Sequence, residues 1–202
     1  MPRTAPAAPP HTGDDDVIRR SLAEPETFGT IFDRHADDIH AYLARRVGRS
    51  LAEDLTAETF LVAFRSRDRY DQSRPDARPW LYGIAANLVR GQQRAEVRQY
   101  RALARTGVDP AQDGPADRVS ARVTAAAHVR ALAAVLAGLS VREREVLTLV
   151  SQTQLSYPEV ARALEIPIGT VRSRLHSARQ RIRRALRDHP ELDLDPTNGA
   201  DA

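Results

Sequence analysis

The sequence predicts an all-α protein made of two small helical domains joined by a flexible linker. No segment of the 202 residues sustains the alternation of apolar and polar side chains that is typical of a strand, whereas several segments repeat apolar residues at helical spacing. Glycine and proline concentrate near the two ends and in interior gaps, one of which, at 106–118, separates two helical blocks.

Composition also places the boundaries of the predicted domains. Residues 1–16 are rich in proline and alanine and end in three aspartates, so we predict a disordered N-terminal arm. The first domain then covers 17–105, the linker 106–118 and the second domain 119–187. Residues 188–202 contain several acidic side chains and no arginine, which is typical of a solvated acidic tail.

The first block opens with an amphipathic helix over about 26–47, whose apolar residues, Phe32 among them, recur at helical spacing. Gly48 is expected to end this helix. Ser50 followed by Glu53 predicts a capping box at the start of the second helix.

A third helix is expected to begin near Pro79 and to run to Arg105 without interruption. Five of its arginines fall within about 80° of the helix circumference at 100° per residue. Such a row matches the phosphates of a nucleic-acid backbone, although a solvated basic face has the same pattern. The five are Arg90, Arg94, Arg98, Arg101 and Arg105.

Residues near the start of the third helix are further candidates for nucleic-acid contact. Trp80 and Tyr82 are aromatic rings beside the basic row and can stack on unpaired bases, but packing of Trp80 in the core is an equally open interpretation. Asn87 can bond a base or phosphate, or can bond a backbone group within the protein.

The second block ends in the outline of a helix-turn-helix. The pairs Ser140/Glu143 and Ser156/Glu159 each predict a capping box at a helix start. The helix after Ser156 is short, and a break of four residues, 165–168, separates it from a longer basic helix over about 169–187.

That last helix carries seven arginines and no acidic residue. Its apolar residues form one stripe that must face the preceding helices. A helix of this size fits the major groove of B-DNA, where residues near its start reach base edges and arginines reach phosphates. The candidate DNA contacts are Thr170, Arg172, Ser173, Arg174, His176, Ser177 and Arg179.

Other classes of function find no support in the sequence. There is no cysteine, the six histidines are scattered, and no glycine-rich phosphate loop is present, so we predict a protein that is not an enzyme and uses no metal or cofactor. No apolar run approaches the roughly 20 residues that span a bilayer. Without a secretory signal either, we expect a cytoplasmic protein that does not insert into membranes.

Three stretches, in this order, resemble a bacterial RNA polymerase sigma factor of the extracytoplasmic-function type. Residues 52–60 (AEDLTAETF) resemble the family's core-polymerase-binding motif, and 78–88 (RPWLYGIAANL) resemble its minus-ten-element helix. Residues 139–184, with SYPEVA and PIGTVRSRL, resemble its minus-thirty-five-element helix-turn-helix. The resemblance covers roughly 24–105 and 122–187.

The resemblance implies a sigma region 2-like bundle and a sigma region 4-like helix-turn-helix that bind core RNA polymerase, recognise and melt promoter DNA, and direct transcription initiation. It implies docking on the clamp of the largest polymerase subunit, and the family is often held by an anti-sigma factor, although no segment here identifies one. The implied polymerase contacts are Asp54, Leu55, Glu58 and Phe60. The implied minus-ten contacts are Trp80, Tyr82, Asn87, Arg90, Arg94 and Arg98.

Two departures from the family pattern and two alternatives stand beside this interpretation. Glu165 occupies a turn position where the family often has glycine, and a left-handed backbone there costs a non-glycine residue about 1 kcal/mol. The residues after Asn87 also differ from the usual pattern. The alternatives are a free-standing helix-turn-helix repressor or activator, which leaves the first block without a role, and a regulatory adaptor that does not transcribe.

Overall fold

The structure, a computed structural model, describes residues 13–106 and 119–187. Throughout these ranges the regular elements are helices and no strand occurs, which confirms the predicted all-α class. The predicted linker, apart from residue 106, and the predicted acidic tail lie outside the described residues. The helices are α1 (Asp14–Arg20), α2 (Gly29–Val47), α3 (Arg49–Arg65), α4 (Arg78–Gly91), α5 (Gln93–Thr106), α6 (Val119–Gly138), α7 (Val141–Gln152), α8 (Tyr157–Ala163) and α9 (Ile168–Arg187), with 3-10 turns at Pro25–Phe28 and Arg67–Arg69.

The N-terminal boundary differs from the predicted arm over 1–16. Residues 14–16 form the first turn of α1, so the prediction is wrong for them, and residues 1–12 lie outside the described part of the chain. Val17 and Ile18, which follow at once, are at most 1% exposed and join the core. Burial of these two side chains holds the aspartates in a helix that composition alone does not indicate.

The turn between α2 and α3 is tighter than the predicted capping box allows. Gly48 ends α2, as expected, with a positive φ of 87° that favours glycine. Because this single residue reverses the chain, α3 already begins at Arg49, and Gly48 rather than Ser50 is the residue that precedes it. The capping box predicted for Ser50 and Glu53 is therefore wrong.

The predicted third helix is two helices. The chain breaks at Gln92, whose φ of −105° and ψ of 28° lie outside the helical range, so α4 and α5 follow different directions. Arg90 lies on α4, whereas Arg94 and Arg98 lie on α5. The prediction of a continuous row of arginines along one helix is therefore wrong.

The helix-turn-helix has the predicted outline. Capping boxes open α7 at Ser140 and α8 at Ser156, which confirms both predictions. The end of α8 is closed by hydrogen bonds from Glu165 N–H to the Arg162 carbonyl (3.1 Å) and from Ile166 N–H to the Ala161 carbonyl (3.0 Å). This pair of bonds is a Schellman motif, and it places Glu165 at the left-handed position with φ 52°.

The two helical blocks share one buried core. Apolar side chains of α2, α3 and α4 join those of α7, α8 and α9 in a single cluster, in which Leu81 and Val160 are both fully buried. Helices α4 and α8 lie close together at Gly83, where a Cβ would be 2.5 Å from the carbonyl oxygen of Ala163. Only glycine allows this approach without movement of the backbone.

A buried ionic network connects the blocks beside this core. The Glu96 carboxylate on α5 accepts hydrogen bonds from Arg46 on α2 (2.7 Å) and from Arg144 on α7 (2.8 Å), and none of the three side chains is more than 2% exposed. Arg144 also donates to the carbonyls of Leu136 and Leu139 at the end of α6. The network thus joins four helices through one carboxylate.

Candidate nucleic-acid and protein interfaces

Helix α9 presents a basic face to solvent because its apolar stripe is buried against the neighbouring helices. Val171, Leu175 and Ala178 are at most 2% exposed, so α9 turns its other sides outward. Most of the residues predicted to contact DNA are exposed or half-buried on those sides. Arg172, Ser173, His176 and Arg179 are exposed, and Thr170 and Arg174 are half-buried.

Ser177 is an exception among the predicted contacts of α9. Its hydroxyl donates to Oε1 of Glu143 on α7 at 2.5 Å. Burial raises the pKa of the Glu143 carboxyl, but the hydrogen bonds from Ser140 and Ser177 outweigh that effect and lower the pKa below its usual value. Ser177 therefore holds α9 against α7 in this structure, and its role as a base contact stays a prediction.

The predicted minus-ten residues of α4 divide between the core and a surface cleft. Tyr82 is only 5% exposed and packs edge-on against Tyr42, with 5.3 Å between ring centroids. Burial raises the pKa of Tyr82 to about 12. Its ring is enclosed by the core in this structure, and its role as a DNA contact stays a prediction.

Trp80 and Asn87 instead line a cleft of about 330 Å³ between α4, the loop before it and the end of α8. The Trp80 indole is half-buried and lies against the Tyr70 ring, with 4.9 Å between centroids. Arg74 lines the cleft from the loop, and Arg162 lines it from α8. The cleft is also lined by the carboxylates of Asp71, Asp76 and Glu165, so its charges balance and its aromatic wall is the feature that suits an unpaired base.

The arginines after Asn87 lie in three separate environments. Arg90 donates two hydrogen bonds, of 2.9 and 3.2 Å, to the Glu145 carboxylate of α7, which is 1% exposed. Arg94 is exposed on α5. Arg98 borders a different groove, between α5 and the turn at Gly48. One continuous phosphate-binding edge is therefore absent from this part of the described structure.

The exposed face of α3 is acidic and apolar. Asp54 and Glu58 are exposed one turn apart, and Leu61, on the same face, is 39% exposed. Leu55 and Phe60, the other two predicted polymerase contacts, are 7% and 6% exposed and belong mainly to the core.

Phe32 completes this apolar surface and was assigned by the sequence to the buried stripe of α2. Its ring is 46% exposed and packs edge-on against Phe60, with 4.9 Å between centroids. Its neighbour Ile31 is fully buried, so Phe32 stands at the edge of the apolar stripe, about 100° away. A large aromatic ring at the edge of the apolar stripe was the sequence feature that could have indicated this exposed position. We call Asp54, Glu58, Leu61 and Phe32 the α3 patch.

The described residues contain neither a metal-binding cluster nor a helix that could span a membrane. No group of three or more histidine, aspartate or glutamate side chains among them is placed to hold a metal ion. None of the described helices combines the length and apolar character needed to cross a bilayer.

Two family models match the chain. The model described as "Sigma-70 region 2" matches residues 31–99, and the model described as "Sigma-70, region 4" matches residues 130–182. The first match runs from α2 into α5, and the second runs from α6 through most of α9. The two matches therefore include α3, α4 and the helix-turn-helix.

Several curated proteins are similar over most of the chain. The RNA polymerase sigma factor CarQ of Myxococcus xanthus is 35% identical, with 84% of this chain and 93% of that protein covered. The ECF RNA polymerase sigma factor SigL of Mycobacterium tuberculosis is 30% identical, with 85% and 96% covered. The ECF RNA polymerase sigma factor BldN of Streptomyces coelicolor is 30% identical over 85% of this chain, which spans 65% of the length of that longer relative.

Two solved structures have a similar fold. The structure of CnrH in complex with the cytosolic domain of CnrY is 24% identical, with a TM-score of 0.59 and coverage of 87% of this chain and 97% of that one. The sigma factor RpoE of Bartonella quintana, in complex with the anti-sigma factor NepR, is 23% identical, with a TM-score of 0.57 and coverage of 80% and 98%.

Proposed function

The chain belongs to the ECF family of RNA polymerase sigma factors, and we propose that it directs promoter recognition through two DNA-binding helices and one polymerase-binding surface. The observation that carries this proposal is the division of its surface. The basic face of α9 and the cleft beside α4 suit DNA, whereas the acidic and apolar α3 patch suits a protein. A free-standing DNA-binding protein has no use for the α3 patch.

Helix α9 binds the minus-thirty-five element in this proposal. The start of the helix enters the major groove, where Arg174 and Ser173 reach base edges. Arg172 and Arg179, which are exposed, neutralise phosphates on the two sides. His176 and Thr170 complete the contact.

The cleft beside α4 receives the melted minus-ten element. An unpaired base stacks against Trp80, and Asn87 supplies a hydrogen-bonding amide in the same cleft. Arg94 contacts phosphate from α5, and Arg98 does so only if the strand reaches the neighbouring groove. Capture of the base offsets the few kcal/mol that unstacking costs.

Arg90 exchanges partners when DNA binds. In the structure its guanidinium is paired with Glu145 of α7, while α8 closes one side of the cleft. Binding of both promoter elements, which lie apart on DNA, therefore requires α7 and α8 to leave α4. The domains that we propose for this movement are 17–105 and 119–187.

The α3 patch docks on the clamp of the largest polymerase subunit. Asp54 and Glu58 supply charge, Phe32 and Leu61 supply exposed apolar surface, and Leu55 and Phe60 support the patch from below. The polymerase supplies the chemistry of RNA synthesis, so the chain needs no catalytic group of its own. The chain acts in the cytoplasm. An anti-sigma factor is a further proposed partner, because one protein of similar fold was solved with an anti-sigma factor and another with the cytosolic domain of CnrY.

Reconstitution with core polymerase tests the function. The purified chain and core enzyme are used to transcribe fragmented genomic DNA of the native host, the 5′ ends are mapped, and run-off transcription is repeated on the mapped promoters. We expect specific initiation that requires both components. Binding of the same duplexes by the chain alone, without effect on initiation, would favour the repressor alternative, and failure to bind core enzyme would contradict the proposal.

Charge reversal tests the α3 patch. We expect the double variant Asp54→Arg, Glu58→Arg to lose core-enzyme affinity while its fold is retained, because both side chains are exposed. The double variant Glu26→Arg, Asp68→Arg is the matched control, since it makes the same change in charge at two exposed residues outside α3. Equal losses in both proteins would mean that net charge rather than the patch controls binding.

Replacement of Arg174 by alanine tests base recognition by α9. Loss of a bidentate base contact costs about 1–3 kcal/mol of discrimination, so selectivity for the minus-thirty-five sequence should fall while core affinity is unchanged. Arg184→Ala is the control. Arg184 is exposed near the end of α9, so its loss should weaken binding to all DNA sequences alike. A uniform loss for Arg174→Ala would show that it contacts phosphate only.

A further inference from the structure

Asp14 is a buried carboxylate outside every surface described above. It begins α1 and is only 6% exposed. Oδ1 accepts a hydrogen bond from Arg34 at 2.9 Å, and Oδ2 lies 2.8 Å from Nε2 of His35. Both partners belong to α2, so the carboxylate is held firmly against the first block.

The remaining contacts of Asp14 reach the loop before α4. Oδ2 accepts a hydrogen bond from the backbone N–H of Ala77 at 3.0 Å, and the backbone N–H of Asp14 donates to the Pro75 carbonyl at 3.0 Å. These two hydrogen bonds hold the backbone on both sides of residue 76. Asp14 and Ala77 are 63 positions apart in the sequence.

The N-cap residue of α4 has no side chain that can cap the helix. Ala77 precedes the helix and its methyl group accepts no hydrogen bond. Asp76 accepts the Arg78 N–H at 2.9 Å, and Asp14 accepts the Ala77 N–H. An anion at this end also interacts favourably with the helix dipole, so α1 supplies a second carboxylate beside that of Asp76.

The carboxylate carries its negative charge under all ordinary conditions. Burial raises the pKa of Asp14, but the hydrogen bonds from His35, the Ala77 N–H and Arg34 outweigh burial and hold the pKa at about 2. The bond to Ala77 is thus charge-assisted and stronger than a neutral one.

The anchored backbone forms one wall of the cleft beside α4. Asp76 and Arg74 line that wall, and Trp80 follows within the first turn of α4. We propose that Asp14 is a positioning residue for promoter opening, which sets the distance between this loop and Trp80 without touching DNA. This inference rests on the proposed minus-ten role of the cleft.

The test uses holoenzyme assembled from core polymerase and the full-length chain, on a promoter mapped as above. Asp14→Asn retains an acceptor oxygen but loses the charge, and Asp14→Ala loses both. Asp16→Asn is the matched control, because Asp16 lies on the same helix and its carboxylate pairs with the exposed Arg19. The measurement is the rate of open-complex formation on promoters that carry each of the four bases at the captured position.

We expect Asp14→Ala to lose about tenfold in discrimination between the preferred base and the others, as loss of a hydrogen bond to a charged group implies. Asp14→Asn should fall between Asp14→Ala and the wild type, and Asp16→Asn should equal the wild type. Hydrogen exchange should rise over residues 73–82 in Asp14→Asn while α2 and α3 keep their protection. Affinity for core enzyme should be unchanged.

Two results would overturn the inference. One is an equal loss on all four bases together with reduced core affinity, which indicates a merely structural role. The other is wild-type discrimination in Asp14→Ala. If instead the wild-type holoenzyme opened no promoter, the proposed function itself would fail, so the two failures are distinguishable.

Discussion

Glu165 shows at the scale of one residue how the turn of the helix-turn-helix is made. The Schellman motif at the end of α8 requires a left-handed residue, and glutamate supplies it at φ 52°. Its Cβ is crowded by the backbone in this region, and the surrounding bonds hold the conformation in place. The site is exposed, so no core contact compensates for the strain.

Replacement of Glu165 by glycine should therefore stabilise the protein. Relief of strain exceeds the entropy that glycine adds to the unfolded chain, and we expect a gain of about 0.5–1 kcal/mol in the free energy of unfolding. Urea denaturation measures the change. Glu165→Ala is the control, because alanine keeps the Cβ; an equal gain in that variant would trace the effect to the carboxylate rather than to the backbone.

The pair α4 and α8 shows how elements of the two blocks meet. Gly83 has no side chain on the face where the Ala163 carbonyl approaches, so the two helices are closer than larger residues permit. The same contact closes one side of the cleft that holds Trp80 and Asn87. Helix packing and access to the cleft are therefore coupled at this position.

We expect Gly83→Ala to push α8 away from α4. The added Cβ meets a backbone atom, which cannot rotate aside, so overpacking should cost about 1–3 kcal/mol. Hydrogen exchange of α8 should rise, and the free energy of unfolding should fall. Gly91→Ala, at the end of α4 with no atom near its Cβ, is the control and should not destabilise the protein. Unchanged protection of α8 in Gly83→Ala would contradict the close packing.

For the molecule as a whole, the Glu96 network is the feature that couples both blocks. One carboxylate holds guanidinium groups from α2 and α7, and Arg144 carries the connection on to the end of α6. Buried charges are tolerated only when they are paired, so the network specifies one arrangement of these helices rather than adding much net stability.

Glu96→Gln should uncouple this arrangement. The variant leaves two buried guanidinium groups without an anion, and we expect a loss of about 3–5 kcal/mol in the free energy of unfolding. Asp71→Asn, which weakens the exposed pair with Arg74, should leave the free energy of unfolding nearly unchanged. A similarly small effect for Glu96→Gln would show that water or other groups satisfy the two arginines.

Sequence patterns predicted local features well where neighbouring residues decide them. The capping boxes at Ser140 and Ser156, the helix end at Gly48 and the outward basic face of α9 depend on contacts within a few residues. The patterns failed where distant residues decide the outcome. No sequence pattern indicated that the Tyr82 ring packs on the ring of Tyr42.

The amino-acid sequence by itself determined the all-α class, the family and the face of α9 that turns outward, because helical periodicity and charge are local properties. Tertiary structure alone decided that Arg90 pairs with Glu145, that Ser177 binds Glu143 and that Asp14 accepts a hydrogen bond from the Ala77 N–H before α4. Each of these contacts joins residues that are 34 to 63 positions apart. Their partners are chosen by how the helices pack, and no short-range pattern encodes that choice.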